Sequence, residues 1–187
     1  MDIDKIKRNK KLRLYIAVCL GIFILMTAMM HLYGWSALKI IRYLTLSAGL
    51  AVIAAIDWEQ KIIPNKILLV MTCVRIVLFA AEWAAFPEEG FIALKSSLIG
   101  AVISGGLFGI CYLLSRGGMG AGDVKLMTME GFYLGSASVM PAMIIIALCA
   151  AAGNIAGLIK KKLTMKTEVP FGPYVFVGTI LAALLGV

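Results

Sequence analysis

Two stretches of the chain, Leu12–Tyr33 and Ala137–Ile159, run for more than twenty positions without an acidic or basic residue apart from Arg13 and the lone His31. A bilayer core about 30 Å thick takes about 20 apolar residues per helix. Inside lipid, only a helix or a closed barrel satisfies its own backbone polar groups. Barrel strands alternate apolar and polar residues in segments of about ten, so these continuous runs read as helices. The rest of the chain agrees: 61% of its 187 residues are hydrophobic and 15% charged, against about 45–50% and about 25% in a soluble domain. The expected fold is all-α, one polytopic membrane domain over residues 1–187, a bundle of six to seven transmembrane helices.

The apolar runs read as Leu12–Tyr33, Ser36–Ile56, Ile63–Ala85, Phe91–Leu114, Val124–Gly135, Ala137–Ile159 and Phe171–Val187. The fifth is too short to span comfortably. Basic residues in short loops mark the cytoplasmic side. With the basic segment 1–11 inside, that side collects Lys5, Lys7, Arg8, Lys10, Lys11, Arg13, Lys61, Lys66, Arg116, Lys125, Lys160, Lys161, Lys162 and Lys166, leaving Lys39, Arg42, Arg75 and Lys95 of the 18 basic residues. The break Phe86–Gly90 carries acid and no base, as an external loop does. The alternation requires Val124–Gly135 to cross or deeply enter the membrane. The net charge of +8 is therefore assigned to topology, with no nucleic-acid partner, because the bases sit in breaks and not on a basic face with reading elements. The first run exceeds the 7–15 residues of a signal-peptide core and reads as a retained span.

Cys19, Cys73, Cys111 and Cys149 stand singly in four different runs with no C-x-x-C pair, so each reads as a small buried hydrophobe. His31 has no second ligand at metal-binding spacing, and no metal or cofactor is expected.

Acids at membrane depth carry a functional reading by default. Asp2, Asp4, Glu59, Glu88, Glu89 and Glu168 lie in polar breaks or the tail. Glu82, seven residues from Arg75 on one helix face, reads as a structural ion pair, with Arg75–Glu130 as the other pairing. Asp57, in Ala-Ala-Ile-Asp-Trp-Glu, and Asp123, in Gly-Ala-Gly-Asp-Val-Lys, then fall at the same depth on the same side. Two carboxylates in a partly dry site do not both ionise cheaply, so the pair shares one proton. An acid and a base side by side suit peptide hydrolysis: the ionised group takes a proton from water while the protonated one polarises the carbonyl. No G-x-S-x-G, H-E-x-x-H or Cys–His set competes. Gly117, Gly118, Gly120 and Gly122 permit positive φ and close backbone approach, a turn that swings Asp123 toward Asp57. Pro64-Asn65 reads as the start of the next helix, shaping the loop after Asp57.

These residues, with Ile63-Pro64-Asn65, Gly120-Ala121-Gly122-Asp123-Val124-Lys125-Leu126 and Pro170-Phe171-Gly172-Pro173, resemble the type IV prepilin peptidases, membrane aspartic proteases of the Gly-x-Gly-Asp type, from about Leu46 onward. The resemblance implies that Asp57 and Asp123 are the catalytic pair, supported by Gly120, Gly122, Lys125, Pro64 and Asn65. The implied reaction removes a short basic leader from prepilin-like proteins at the cytoplasmic face of the cell membrane. The substrate would carry a basic leader followed by a hydrophobic helix. Bifunctional members also methylate the new N-terminus and carry paired C-x-x-C motifs. With neither those motifs nor a soluble stretch for S-adenosylmethionine, the expectation is a compact peptidase-only member. Two rival classes are a small ion- or proton-coupled transporter, whose path would use Asp57, Asp123, Glu130 and Arg75, and a non-catalytic secretion-apparatus subunit. The transporter would place its acids nearer the midplane, and the scaffold would tolerate loss of either aspartate.

Overall fold

A computed structural model describes residues 3–115, 118–159 and 169–186, with the side chains of 3–11 excepted. The expectations for Arg116, Gly117, Lys160–Lys162, Lys166, Glu168 and the basic side chains of 1–11 fall outside the described residues. Seven helices follow one another: α1 (Ile3–Leu32), α2 (Ala37–Gln60), α3 (Asn65–Ala85), α4 (Pro87–Leu114), α5 (Ala121–Leu134), α6 (Ser136–Ile159) and α7 (Gly172–Leu184). There is no strand among the described residues. Five helices, α1 to α4 and α6, are long and apolar enough to cross a membrane. At 14 and 13 residues, α5 and α7 are only about 20 Å long at 1.5 Å per residue.

The distribution of polarity is that of a protein solvated by lipid. Leu69, Val102, Leu113 and Ile144 face outward, whereas Ser47, Asp57, Arg75, Ser97, Ser104, Glu130 and Thr179 are buried. Outside water, helix packing gains little from apolar burial and relies on close approach and interhelical hydrogen bonds. The α4–α5 contact shows this. A Cβ on Gly131 would run into Ser104 Oγ and the Gly100 backbone, and one on Gly100 would run into the Gly131 and Gly135 backbone. The two helices therefore touch backbone to backbone. A single residue, Gly135 with φ 81, separates α5 from α6. Its following N–H, on Ser136, donates to Ser96 Oγ at 3.0 Å, which satisfies one of the orphan donors of a helix start.

The helix ends differ from the apolar runs for identifiable reasons. α4 begins at Pro87, four residues before the run, because proline suits the first helical position and Glu88 and Glu89 suit the positive end of the helix dipole. α2 continues past Ile56 to Gln60 and stops at Lys61, whose left-handed conformation (φ 53, ψ 39) lets its N–H reach Asp57 O. α5 begins at Ala121, so Asp123 lies inside its first turn. α1 begins at Ile3, since the basic stretch before Leu12 continues the same helix.

The charged groups away from these ends resolve as an ion cluster. Arg75 Nη1 lies 3.1 Å from Glu82 Oε2, and Arg42 Nη1 lies 3.7 Å from Glu82 Oε1. Arg75 also donates to Ser97 Oγ and sits 3.5 Å from the Phe79 ring centroid. Of the two pairings open in the sequence, Arg75–Glu82 forms, and Glu130 bonds Thr179 instead. Lys39 lies over the Trp35 ring at 3.6 Å, so three of the four bases left over by topology have structural partners. Cys19 is buried as expected, but Cys73 and Cys111 face outward, because in lipid a small apolar side chain gains nothing by turning inward.

Candidate active site

The last turn of α2, the first turn of α5 and the first residue of α7 meet at one end of the bundle. Asp57 is on α2 and only 4% exposed. Its Oδ2 accepts the backbone N–H of Gly172 at 2.7 Å. That N–H opens α7 and has no partner within the helix, so the positive end of α7 is spent on a carboxylate. The passage is tight: a Cβ there would lie 3.1 Å from Asp57 Oδ2, 3.2 Å from Asp57 Cβ and 3.5 Å from Ala54 Cα, so the carboxylate would have to give by a few tenths of an ångström. Ala54, one turn before Asp57, provides the rest of this close passage.

Asp123 is half-buried on the first turn of α5, outside the five membrane-length helices. Its N–H donates to Gly120 O at 3.1 Å, and its Oδ2 accepts the Gly120 N–H at 3.2 Å. This is the carboxylate half of a capping box, a side chain at the third helical position reaching back to the cap. Burial pushes the Asp123 carboxyl above its ordinary value, the Gly120 N–H opposes that, and the nearby charge of Asp57 pushes it further up. The last cause records that the two aspartates, 66 positions apart in sequence, lie within electrostatic reach of one another.

The segment between Asp57 and α3 completes the site. Pro64 is the cap of α3, one position earlier than a first-turn proline, and its carbonyl accepts from the Ile67 N–H. Asn65 Oδ1 accepts from Lys125 Nζ at 3.1 Å, linking α3 to α5 two residues beyond Asp123. Ile63 is buried against Gly122, where a Cβ would lie 3.1 Å from Ile63 Cβ.

The structure thus brings Asp57, Asp123, Gly120, Gly122, Lys125, Pro64 and Asn65 to one end of the molecule. Of the two properties expected of these glycines, positive φ is absent from those described, Gly118, Gly120 and Gly122. Gly120 has φ −77, and the described positive-φ glycines are Gly34, Gly135 and Gly186. The left-handed residue next to the site is Lys61. Gly122 admits Ile63 at close range, whereas a Cβ at Gly120 would meet Asp123 Oδ2 at an ordinary 3.4 Å. The Gly172 N–H is a site group that residue-type reasoning overlooked; the available signal was a Gly-Pro pair opening an apolar run. An open groove of ≈ 460 Å³, lined by Asn65, Leu68, Thr72, Lys125, Thr128 and Phe132 among others, lies on the other face of α5. It does not include either aspartate.

A family model described as the type IV leader peptidase family matches residues 44–155, which include both aspartates. The chain is similar to proteins named prepilin leader peptidase/N-methyltransferase. In Bacillus subtilis (strain 168) the identity is 29%, over 73% of this chain and 52% of the relative. In Pseudomonas aeruginosa it is 30%, over 76% and 49%, and in Burkholderia pseudomallei (strain K96243) 29%, over 75% and 45%. The chain spans about half the length of the curated relatives it matches. No solved structure matches it significantly.

Proposed function

Because the chain belongs to the type IV leader peptidase family, we propose that it carries the leader peptidase activity of the two named in its relatives, as a two-aspartate endopeptidase acting on prepilin-like precursors. The observation that carries this reading is the convergence of Asp57 and Asp123, from distant parts of the chain, at one end of a membrane bundle.

The raised Asp123 carboxyl suits it to hold the shared proton, and Asp57, already accepting the Gly172 N–H, is the base. Asp57 takes a proton from water as the hydroxyl attacks the scissile carbonyl carbon, and Asp123 hydrogen-bonds the oxygen on which charge develops. Asp57 then gives its proton to the amide nitrogen as the C–N bond breaks. The hydrolysis closes with both aspartates restored and calls for no metal or cofactor. Lys125, Asn65, Pro64, Gly120 and Gly122 hold the loop and the helix start that carry the pair.

The substrate is a membrane-embedded precursor whose basic leader precedes a hydrophobic helix, with its cleavage point at the depth of the two aspartates. Lys61, Lys66 and Lys125 at this end agree with a cytoplasmic active site in the cell membrane.

The direct test mixes the purified protein in detergent with a pilin precursor and follows the shortened product. Asp57→Asn and Asp123→Asn are each expected to lower the cleavage rate by at least about 10²-fold, the usual contribution of general acid–base groups. Cleavage at the parent rate by either variant would overturn the mechanism.

A further inference from the structure

Seven residues after Asp123, two turns along the same face of α5, Glu130 is fully buried. Its Oε1 lies 2.5 Å from Thr179 Oγ1 on α7, and its Oε2 is buried without a partner. Thr179 is fully buried as well, and its Oγ1 lies 2.7 Å from Val175 O, one turn back on its own helix.

A threonine hydroxyl has one hydrogen and two lone pairs. If that hydrogen goes to Glu130, the hydroxyl and carbonyl oxygens of Thr179 and Val175 face one another at 2.7 Å with nothing between them. If it goes to Val175 O, the usual back-bond of a helical threonine, the hydroxyl meets Glu130 as an acceptor. The proton between them is then the carboxyl's own. Charge accounting agrees. Among the described residues Glu130 has no ion-pair partner, and Arg75 is engaged by Glu82 and Ser97. An ionised carboxylate would leave a charged oxygen bare in the bundle interior. A neutral acid leaves only a carbonyl oxygen bare, a far smaller cost.

We infer that Glu130 is held as a neutral acid whose proton is donated to Thr179, and that this bond is a positioning device setting the register of α5 against α7. Gly172, whose N–H holds Asp57, stands seven residues before Thr179, just as Asp123 stands seven before Glu130. The bond therefore ties the same two helices two turns below the site, and a slide of one helix along the other is blocked at that point. The positioning role rests on the two-aspartate reading; the protonation state does not.

Infrared difference spectra between the parent and Glu130→Gln, in detergent at neutral pH, test the protonation state without any substrate. The expected result is a protonated carboxyl C=O band that is present in the parent, absent in Glu130→Gln and displaced in Thr179→Val. Absence of that band in the parent overturns the inference, whatever the protein proves to cleave. Cleavage assays test the positioning. Glu130→Gln keeps a donor for Thr179 and should retain kcat within about threefold, whereas Glu130→Ala should lose about tenfold or more in kcat with KM little changed, the pattern of misplaced catalytic groups. Parent-like kcat in Glu130→Ala overturns the role, as does equal loss in Glu130→Gln. If Glu130→Ala does not fold, Thr179→Val against Thr179→Ser gives the same contrast, the serine keeping the acceptor.

Discussion

The backbone N–H of Gly172 donates to Asp57 Oδ2 at 2.7 Å across 115 positions of sequence. The carboxylate proposed as the base is thus oriented by a main-chain group, and a Cβ at position 172 would crowd it, lying 3.1 Å from Asp57 Oδ2 and 3.2 Å from Asp57 Cβ. Gly172→Ala should therefore lower cleavage by about tenfold or more by displacing Asp57, while the protein still purifies as a folded monodisperse species. Full activity in this variant would show that Asp57 has no fixed position.

The Asp57 charge is one of the causes that raise the Asp123 carboxyl. Removing it makes ionisation of Asp123 easier, so in Asp57→Asn the Asp123 carboxyl should titrate at lower pH than in the parent. Isotope-edited infrared titration of the aspartates measures this without relying on activity. In the parent, a rate that needs protonated Asp123 falls as pH rises through its raised value, so the alkaline limb of kcat/KM should lie above the ordinary carboxyl range. A shift of Asp123 to higher pH in Asp57→Asn would contradict the pairing.

Lys125 and Asn65 are both exposed, so their 3.1 Å contact competes with water. A double-mutant cycle with Lys125→Met and Asn65→Leu on cleavage rate should give a coupling of about 0.5–1 kcal/mol, the net worth of an ordinary hydrogen bond. Additive losses would mean that each residue acts separately.

The α4–α5 seam tolerates no side chain at Gly131. Gly131→Leu should abolish the folded species in size-exclusion chromatography. Gly106→Ala and Gly109→Ala, where a Cβ meets nothing within 4 Å, should be neutral or stabilise by up to about 1 kcal/mol through helix propensity. Equal behaviour of the two classes would refute backbone-to-backbone packing.

The proposed orientation has its own check. In a cysteine-free background, a cysteine placed at Glu89 should react with a membrane-impermeant thiol reagent applied to intact cells. One placed at Glu59 should react only after the cells are opened. The reverse pattern would place the aspartates on the other side.

How much of this was legible in the sequence depends on the kind of interaction. Membrane helices show in sequence because lipid demands about twenty apolar residues of each, and the two aspartates show because they are expensive where they stand. Arg75–Glu82 follows from a seven-residue spacing on one helix. What stayed hidden is contact between helices. Nothing local says that the Gly172 N–H meets Asp57, that Thr179 rather than Arg75 meets Glu130, or that Gly122 is a seat for Ile63. The glycines before Asp123 were readable as special but not as to why, since positive φ and close approach leave the same residue type in the sequence. Helix ends were displaced where capping chemistry, as at Pro87 and Lys61, outran the apolar pattern.

The shortness of α5 has a consequence for how the protein lives in a membrane. Hydrophobic mismatch acts on a helix through its two anchored ends, and the long helices absorb changes in bilayer thickness by tilting or by local deformation. A helix about 21 Å long, joined to α6 through one buried glycine and pressed backbone to backbone on α4, is too short to be anchored at both surfaces of a core about 30 Å thick. Thickness fluctuations have no second handle by which to pull on it. Asp123, like the Gly172 N–H that opens α7, thus rides on a helix too short for a change in lipid composition to pull from both ends.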